Sequence, residues 1–131
     1  MILDNTLLDS LMEQAAASPR LRMNFDLRTS PEDSSQRMLN ALLPGTVLPI
    51  HRHTNTTETL VLLRGKMEEI FYEENPLRET SRVLLEAGGD VQGLSIPVGQ
   101  WHGINVLEPT VILECKDGRY EPLGPEDMIS L

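Results

Sequence analysis

A series of short apolar stretches constrains the fold of this chain more than any other feature. Between residues 36 and 115, about eight such stretches follow one another, separated by turn signals such as Pro44-Gly45 and Gly88-Gly89. Strands at such short intervals are typical of antiparallel sandwiches and barrels. We therefore predict an all-β domain in which the barrel spans residues 36–120.

A helical pattern precedes these stretches. Thr6, followed by Asp9, resembles a capping box, and Ser18-Pro19 ends the pattern. The apolar residues between these signals recur on one helical face: Leu7, Leu8, Leu11, Met12 and Ala15. We predict an N-terminal helical segment within residues 1–20. No repeat or linker divides residues 1–131, so we expect one domain.

The charge balance excludes several classes of partner. The chain has 20 acidic and 11 basic residues, a formal net charge of −9, and this argues against nucleic acid and against anionic membrane surfaces. No apolar run approaches the roughly 18 residues of a spanning helix, and the first residues do not resemble a secretory signal. The single cysteine, Cys115, cannot form an internal disulfide and is predicted to be a small buried side chain. We expect a cytoplasmic protein.

The three histidines of the chain form a pattern typical of metal ligands. His51 and His53 are two residues apart, so a strand would place both imidazoles on one face. Glu58 follows after a polar link, and His102 follows a turn at residues 97–99. Three imidazoles and one carboxylate make a complete donor set for a divalent transition metal. The sequence leaves open whether that metal is Zn, Fe, Mn or Ni.

The spacing of these residues resembles the two sequence motifs of the cupin superfamily. Asn105 lies three residues after His102 where the family motif has four, and Val91 replaces a motif glycine, but neither departure affects a ligand. The resemblance implies a double-stranded β-helix, or jelly-roll, barrel behind the N-terminal helix. The matching positions are Gly45, His51, His53, Glu58, Gly65, Pro97, Gly99 and His102.

Longer segments narrow the resemblance to one group of cupins. Residues 18–24, 36–38, 101–103 and 113–122 together are similar to the WbuC family, small cupin-fold metalloproteins found with bacterial polysaccharide genes. Arg28 departs from that pattern, which has a histidine in this stretch. The resemblance points to bacterial surface polysaccharide metabolism, and cupins commonly form homodimers, so we expect one here.

The preferred function is that of a metal-dependent enzyme acting on a small carbohydrate or sugar-phosphate, by isomerisation or epimerisation. Glu114 is a candidate general base, and the guanidinium of Arg37 is a candidate grip for a carboxylate or phosphate. An iron-dependent dioxygenase and a non-catalytic sugar- or metabolite-binding module are the alternatives.

Several site residues also have purely structural interpretations. Arg20 and Arg22 could pair with surface acids or cap the first helix instead of facing the cavity, and Glu114 could form a structural salt bridge. Trp101 alternates with His102 and should face away from the metal. Its expected role there is packing or a subunit contact, and stacking on a sugar is the alternative.

Overall fold

The computed structural model describes residues 1–129, which form one helix followed by ten strands. A short 3₁₀ turn, Pro125–Asp127, precedes the last strand. The elements are α1 Asn5–Ala17, β1 Arg22–Asp26, β2 Gln36–Leu42, β3 Ile50–His51, β4 Glu58–Arg64, β5 Lys66–Glu73, β6 Arg78–Glu86, β7 Gly93–Ile96, β8 Trp101–Val106, β9 Thr110–Lys116 and β10 Met128–Ile129.

The strands form two antiparallel sheets of five strands each. The first has the order β1-β2-β9-β4-β7, and the second has the order β10-β3-β8-β5-β6. Their inner faces enclose an apolar cluster that includes Leu60, Met67, Leu85 and Ile112. This arrangement confirms the predicted all-β jelly roll with an N-terminal helix.

Helix α1 covers the outer face of the first sheet. Leu8, Leu11 and Ala15 are buried and pack in a cluster with Leu39 and Val111. The helix is capped by Asp4, whose Oδ1 accepts a hydrogen bond from the Leu7 N–H at 3.0 Å. The predicted capping box at Thr6 and Asp9 is therefore wrong, because the helix begins before Thr6. No helix among residues 1–129 is long and apolar enough to span a membrane.

Strand bounds differ from the prediction at both ends of the barrel. Strand β1 lies before residue 36 and pairs with β2, while β10 lies beyond residue 120 and pairs with β3. Residues 46–50, one of the predicted apolar stretches, contribute only Ile50 to a strand. Pro44 precedes this stretch and Pro49 lies within it, and because proline cannot donate to a sheet ladder, most of the stretch is a loop.

Cys115 is exposed, so the prediction that it is buried is wrong. Its side chain lies on the outer face of β9, opposite Arg37 of β2. Helix α1 packs around Val111 near the other end of that strand and leaves Cys115 uncovered.

Candidate metal centre

Two neighbouring strands and one loop bring the three histidines together. His51 of β3 and His102 of β8 are direct partners across the second sheet, so their side chains lie on the same face. Their ring centroids are 4.2 Å apart, and the ring of His53, which follows β3, lies 5.1 Å from that of His51. One potential ligand atom from each residue lies within 4.8 Å of the other two. This is the separation needed for binding one ion.

Main-chain carbonyls orient two of the imidazoles. The Nδ1–H of His51 donates to the carbonyl oxygen of Pro49 at 3.0 Å, and that of His102 donates to Gln100 at 2.9 Å. In this tautomer each Nε2 carries a free lone pair, as metal coordination requires. Nε2 of His53 and of His102 are buried and, among the described residues, have no hydrogen-bond partner. These orphaned acceptors fit a metal ion, which would satisfy them.

Electrostatics keep the imidazoles neutral. Burial, with a smaller contribution from the Lys116 charge, lowers the pKa of His53 to about 3. Burial is also the main cause that lowers the pKa of His102 to about 4. Burial also lowers the pKa of His51. Neutral imidazole is the form that binds a metal, so the cluster is ready for one at neutral pH.

Glu58, the first residue of β4, supplies a carboxylate beside the cluster. It is buried, and its Oε1 lies 3.7 Å from Nε2 of His53 while its Oε2 lies 3.8 Å from Nε2 of His102. Lys116, its direct partner on β9, places Nζ at 3.4 Å from the same carboxylate. The structure thus brings all four predicted ligand residues together.

A cavity of about 410 Å³ lies between the sheets and contains this cluster. Its volume is in the range of small-molecule sites. Glu114 of β9 lines it and accepts a hydrogen bond from Nδ2 of Asn40 at 2.6 Å. Burial, and then the nearby Glu58 carboxylate, raises the pKa of Glu114 to about 7, although Lys116 opposes the shift. Glu114, which the sequence offers as a candidate general base, therefore lines the same cavity as the histidine cluster.

Glu69 is a cavity residue that the sequence analysis missed. It lies on β5, is only 1% exposed, and its Oε2 has no hydrogen-bond partner in the described part of the chain. Burial, followed by the Glu58 and Glu114 charges, raises its pKa well above the ordinary value. The alternation of side chains along a strand could have predicted this placement. Glu69 is two residues after the buried Met67, so both side chains point to the same inner face.

Arg37 does not line the cavity, so the expectation that it grips a ligand at the barrel mouth is corrected. Its Nη1 donates to Asp33 Oδ2 at 3.1 Å and to the Ser35 carbonyl on the outer face of the sheet. The register explains this placement. Arg37 pairs with Cys115 while Met38 pairs with Glu114, and direct partners share a face.

The structure also places the remaining candidate residues, Arg20, Arg22 and Trp101. Arg20 and Arg22 both line the cavity. Trp101 is buried on the opposite side of β8 from the cavity, as its expected packing role requires, and Arg52 stacks on its ring at 4.6 Å.

The family comparison matches a large part of the chain. Residues 3–84 match a family described as a domain of unknown function, DUF6016. The chain is a member of the DUF6016 family. No curated protein matches it.

Solved structures of similar fold extend the comparison for this DUF6016 member. CapF from Staphylococcus aureus, described as a capsular polysaccharide assembling protein, is 22% identical with a TM-score of 0.66, over 82% of this chain and 30% of CapF. KdgF from Halomonas sp. is 17% identical with a TM-score of 0.56, over 79% of this chain and 84% of KdgF. An oxalate oxidase in complex with glycolate is 16% identical with a TM-score of 0.64, over 92% and 63% of the two chains.

These likenesses place the DUF6016 chain in the cupin fold. The chain spans about a third of the length of CapF, the first of these structures. The similarity therefore concerns one region of that protein.

Proposed function

We propose that this protein binds one divalent transition metal at His51, His53, Glu58 and His102, and that it isomerises or epimerises a small carbohydrate or sugar-phosphate. The observation that carries the proposal is the convergence of three neutral imidazoles on one point, two of them with buried and unpartnered Nε2 atoms, inside a ligand-sized cavity. When bound, the metal supplies Lewis-acid polarisation of a carbonyl or hydroxyl oxygen.

The chain's own contribution to this chemistry is proton transfer by Glu114. A carboxyl with a pKa of about 7 exists in both protonation states near neutrality, as a group that accepts and returns a proton must. Nδ2 of Asn40 donates to Oε1 of this carboxyl and fixes its orientation in the cavity. Lys116 Nζ, which lies between the Glu58 and Glu114 carboxylates, limits their mutual repulsion.

Apolar side chains from both sheets line another part of the cavity and can pack against the apolar surface of a ligand. They are Leu42, Leu60, Met67, Ile104 and Ile112.

The biological setting is supported by two resemblances. The sequence is similar to WbuC proteins, and the fold is similar to CapF, a polysaccharide assembling protein. We propose that the substrate belongs to bacterial surface polysaccharide metabolism. A homodimer also remains a prediction, and light scattering would decide between 14.7 kDa and twice that mass.

Metal content provides the first test. Elemental analysis of protein purified without added metal is expected to show about one transition-metal ion per chain, and His51→Ala is expected to remove most of it. Thr59→Ala is a suitable control, since Thr59 is exposed on β4 next to Glu58. Unchanged metal content in His51→Ala would show that the ligand assignment is wrong.

Proton exchange provides the test of the reaction. The metal-loaded protein is expected to incorporate deuterium from D₂O into a sugar or sugar-phosphate of a test panel, as NMR would show. Glu114→Gln should slow this exchange by about a hundredfold or more, the usual effect of removing a general base. Cys115→Ser, the neighbouring change on the outer face of β9, should not.

Two outcomes would overturn the proposed reaction. Oxygen uptake by the iron-loaded protein, without proton exchange, would favour a dioxygenase. Sugar binding without any turnover across the panel would favour a binding module.

A further inference from the structure

Two arginines lie at the mouth of the cavity that holds the histidine cluster. Arg20 is exposed and Arg22 is half-buried, whereas His102 is 2% exposed at the deep end. Arg22 and Asn24 alternate along β1 and both line the cavity, while Met23 between them packs towards α1. The two arginines therefore point into the cavity because of the pleat of β1 and the turn before it.

The turn that presents Arg20 and Arg22 is held in an unusual conformation. Leu21, between them, has φ +56°, a left-handed conformation that is rare for a residue of this kind. Its N–H donates to the Ser18 carbonyl and its own carbonyl accepts from the Leu43 N–H, both at 3.0 Å. The Thr46 hydroxyl donates to the Arg20 carbonyl at 2.7 Å. Strained residues held in this way are concentrated at functional sites.

Within residues 1–129, no acidic side chain forms an ion pair that neutralises these two arginines. Six other arginines form ion pairs with acidic residues: Arg28, Arg37, Arg52, Arg64, Arg78 and Arg82. Among residues 1–129, no ion pair involves Arg20 or Arg22. Nη1 of Arg22 donates to the Val47 carbonyl at 2.8 Å, which orients its guanidinium without neutralising it. Burial, followed by the Arg20 charge, lowers the pKa of Arg22.

The charge of the cavity also changes from its mouth to its deep end. Three carboxyls, those of Glu58, Glu69 and Glu114, line the deep end together with one cation, Lys116, which lies beside two of them. The mouth has two arginines for which residues 1–129 supply no acidic partner. A ligand with an anionic group at one end and a neutral hydroxyl or carbonyl at the other fits this distribution of charge when its anionic end lies at the mouth. Two guanidinium groups without acidic partners match the charge of a phosphate monoester, which is close to −2 at neutral pH.

We propose that Arg20 and Arg22 form a phosphate subsite at the cavity mouth, and that the substrate carries a phosphate monoester at the end away from the histidines. The phosphate subsite itself depends only on the arginines. Its assignment to a sugar-phosphate substrate rests on the proposed function.

The test is binding of inorganic phosphate to the full chain, measured by calorimetry after chelator treatment so that metal cannot bind the probe. Arg20→Gln and Arg22→Gln are each expected to weaken binding by about tenfold or more, as the loss of a charge-assisted hydrogen bond implies. Arg78→Gln makes the same change in net charge on exposed β6, outside the cavity, and is expected to have no effect. Acetate should bind more weakly than phosphate.

The outcomes separate this inference from the proposed function. Phosphate binding that is absent, or that is unchanged in both cavity variants, would overturn the subsite, and acetate binding as tight as phosphate would replace it with a carboxylate subsite. If Arg22→Gln does not fold, the exposed Arg20 still provides the test. Phosphate binding that persists in a chain without metal affinity would support the subsite while overturning the metal-dependent reaction.

Discussion

At the scale of single residues, the structure separates side chains that the sequence treats alike. Glu68 and Glu69 are adjacent acids, yet Glu68 lies on the outer face, where it accepts from Asn105 and Arg82, and Glu69 is buried in the cavity. A buried carboxyl oxygen without a hydrogen-bond partner makes ionisation costly. Ionisation of Glu69 is therefore expected to oppose the stability of the fold.

Glu69→Gln is expected to stabilise the metal-free protein by about 1 to 3 kcal/mol at neutral pH, since a neutral amide replaces an under-satisfied acid. The folded pKa of Glu69 is raised, so the acid destabilises the protein increasingly as the pH rises above its unfolded value. The gain in melting temperature should therefore be larger at pH 8 than at pH 5. Glu68→Gln is the control and should give no such gain, and an equal effect of both changes would contradict the assignment.

The convergence of His51, His53, Glu58 and His102 could be predicted from the sequence, because the motif spacing identifies the four residues together. Their role as metal ligands stays a prediction. Arg37 could not be placed, because its direction depends on its register with β9, and Glu114 and Arg37 cannot both face inward. The sequence does not define that register.

At the scale of elements, tight turns determine how the strands meet. Gly65 joins β4 to β5 with φ +89°, and a Cβ there would clash with the Pro109 carbonyl and with Thr110. Thr110 is fully buried and its hydroxyl accepts from the Lys66 N–H at 3.2 Å. This turn therefore has no room for a side chain, which explains why a glycine stands at this motif position.

Gly65→Ala is expected to destabilise the protein by more than the conformational cost alone, because the main chain of the β8–β9 connection must move. Gly88→Ala provides the comparison, since Gly88 also has positive φ, +72°, but has no atoms near the added Cβ. Its cost should be about 1 to 2 kcal/mol. Denaturant titration would measure the free energy of unfolding of both variants. A similar decrease in the two would show that the main chain relieves the clash at Gly65 and would contradict the prediction.

The prediction did not include strand β1, although its residues carry the pattern of a strand. Polar and apolar side chains alternate over Arg22–Asp26, as in a half-buried strand, but the five residues are few and lie before the predicted barrel. The strand is stabilised by pairing with β2 and packing under α1. The central strands could be predicted, since their apolar content reflects burial on the inner faces.

At the scale of the whole molecule, the proposed metal connects distant parts of the chain. His51 and His102 belong to the second sheet, whereas Glu58 begins β4 of the first. An ion bound to all of them would link the two sheets across the cavity. Binding should therefore stabilise the whole domain instead of one loop.

The metal-loaded protein is expected to melt at a higher temperature than the chelator-treated protein. An excess of metal at about a hundred times its Kd corresponds to about 2.7 kcal/mol. Differential scanning calorimetry would measure the shift, with His53→Ala as the variant that should lose most of it. A shift of the same size in His53→Ala would place the bound ion elsewhere.

The carbonyl oxygens that orient His51 and His102 belong to Pro49 and Gln100, and this has an evolutionary consequence. Every amino acid has a main-chain carbonyl, so exchange of residue 49 or 100 alters a side chain but does not delete the acceptor. Positions 49 and 100 can thus vary in evolution while both imidazoles retain their orientation.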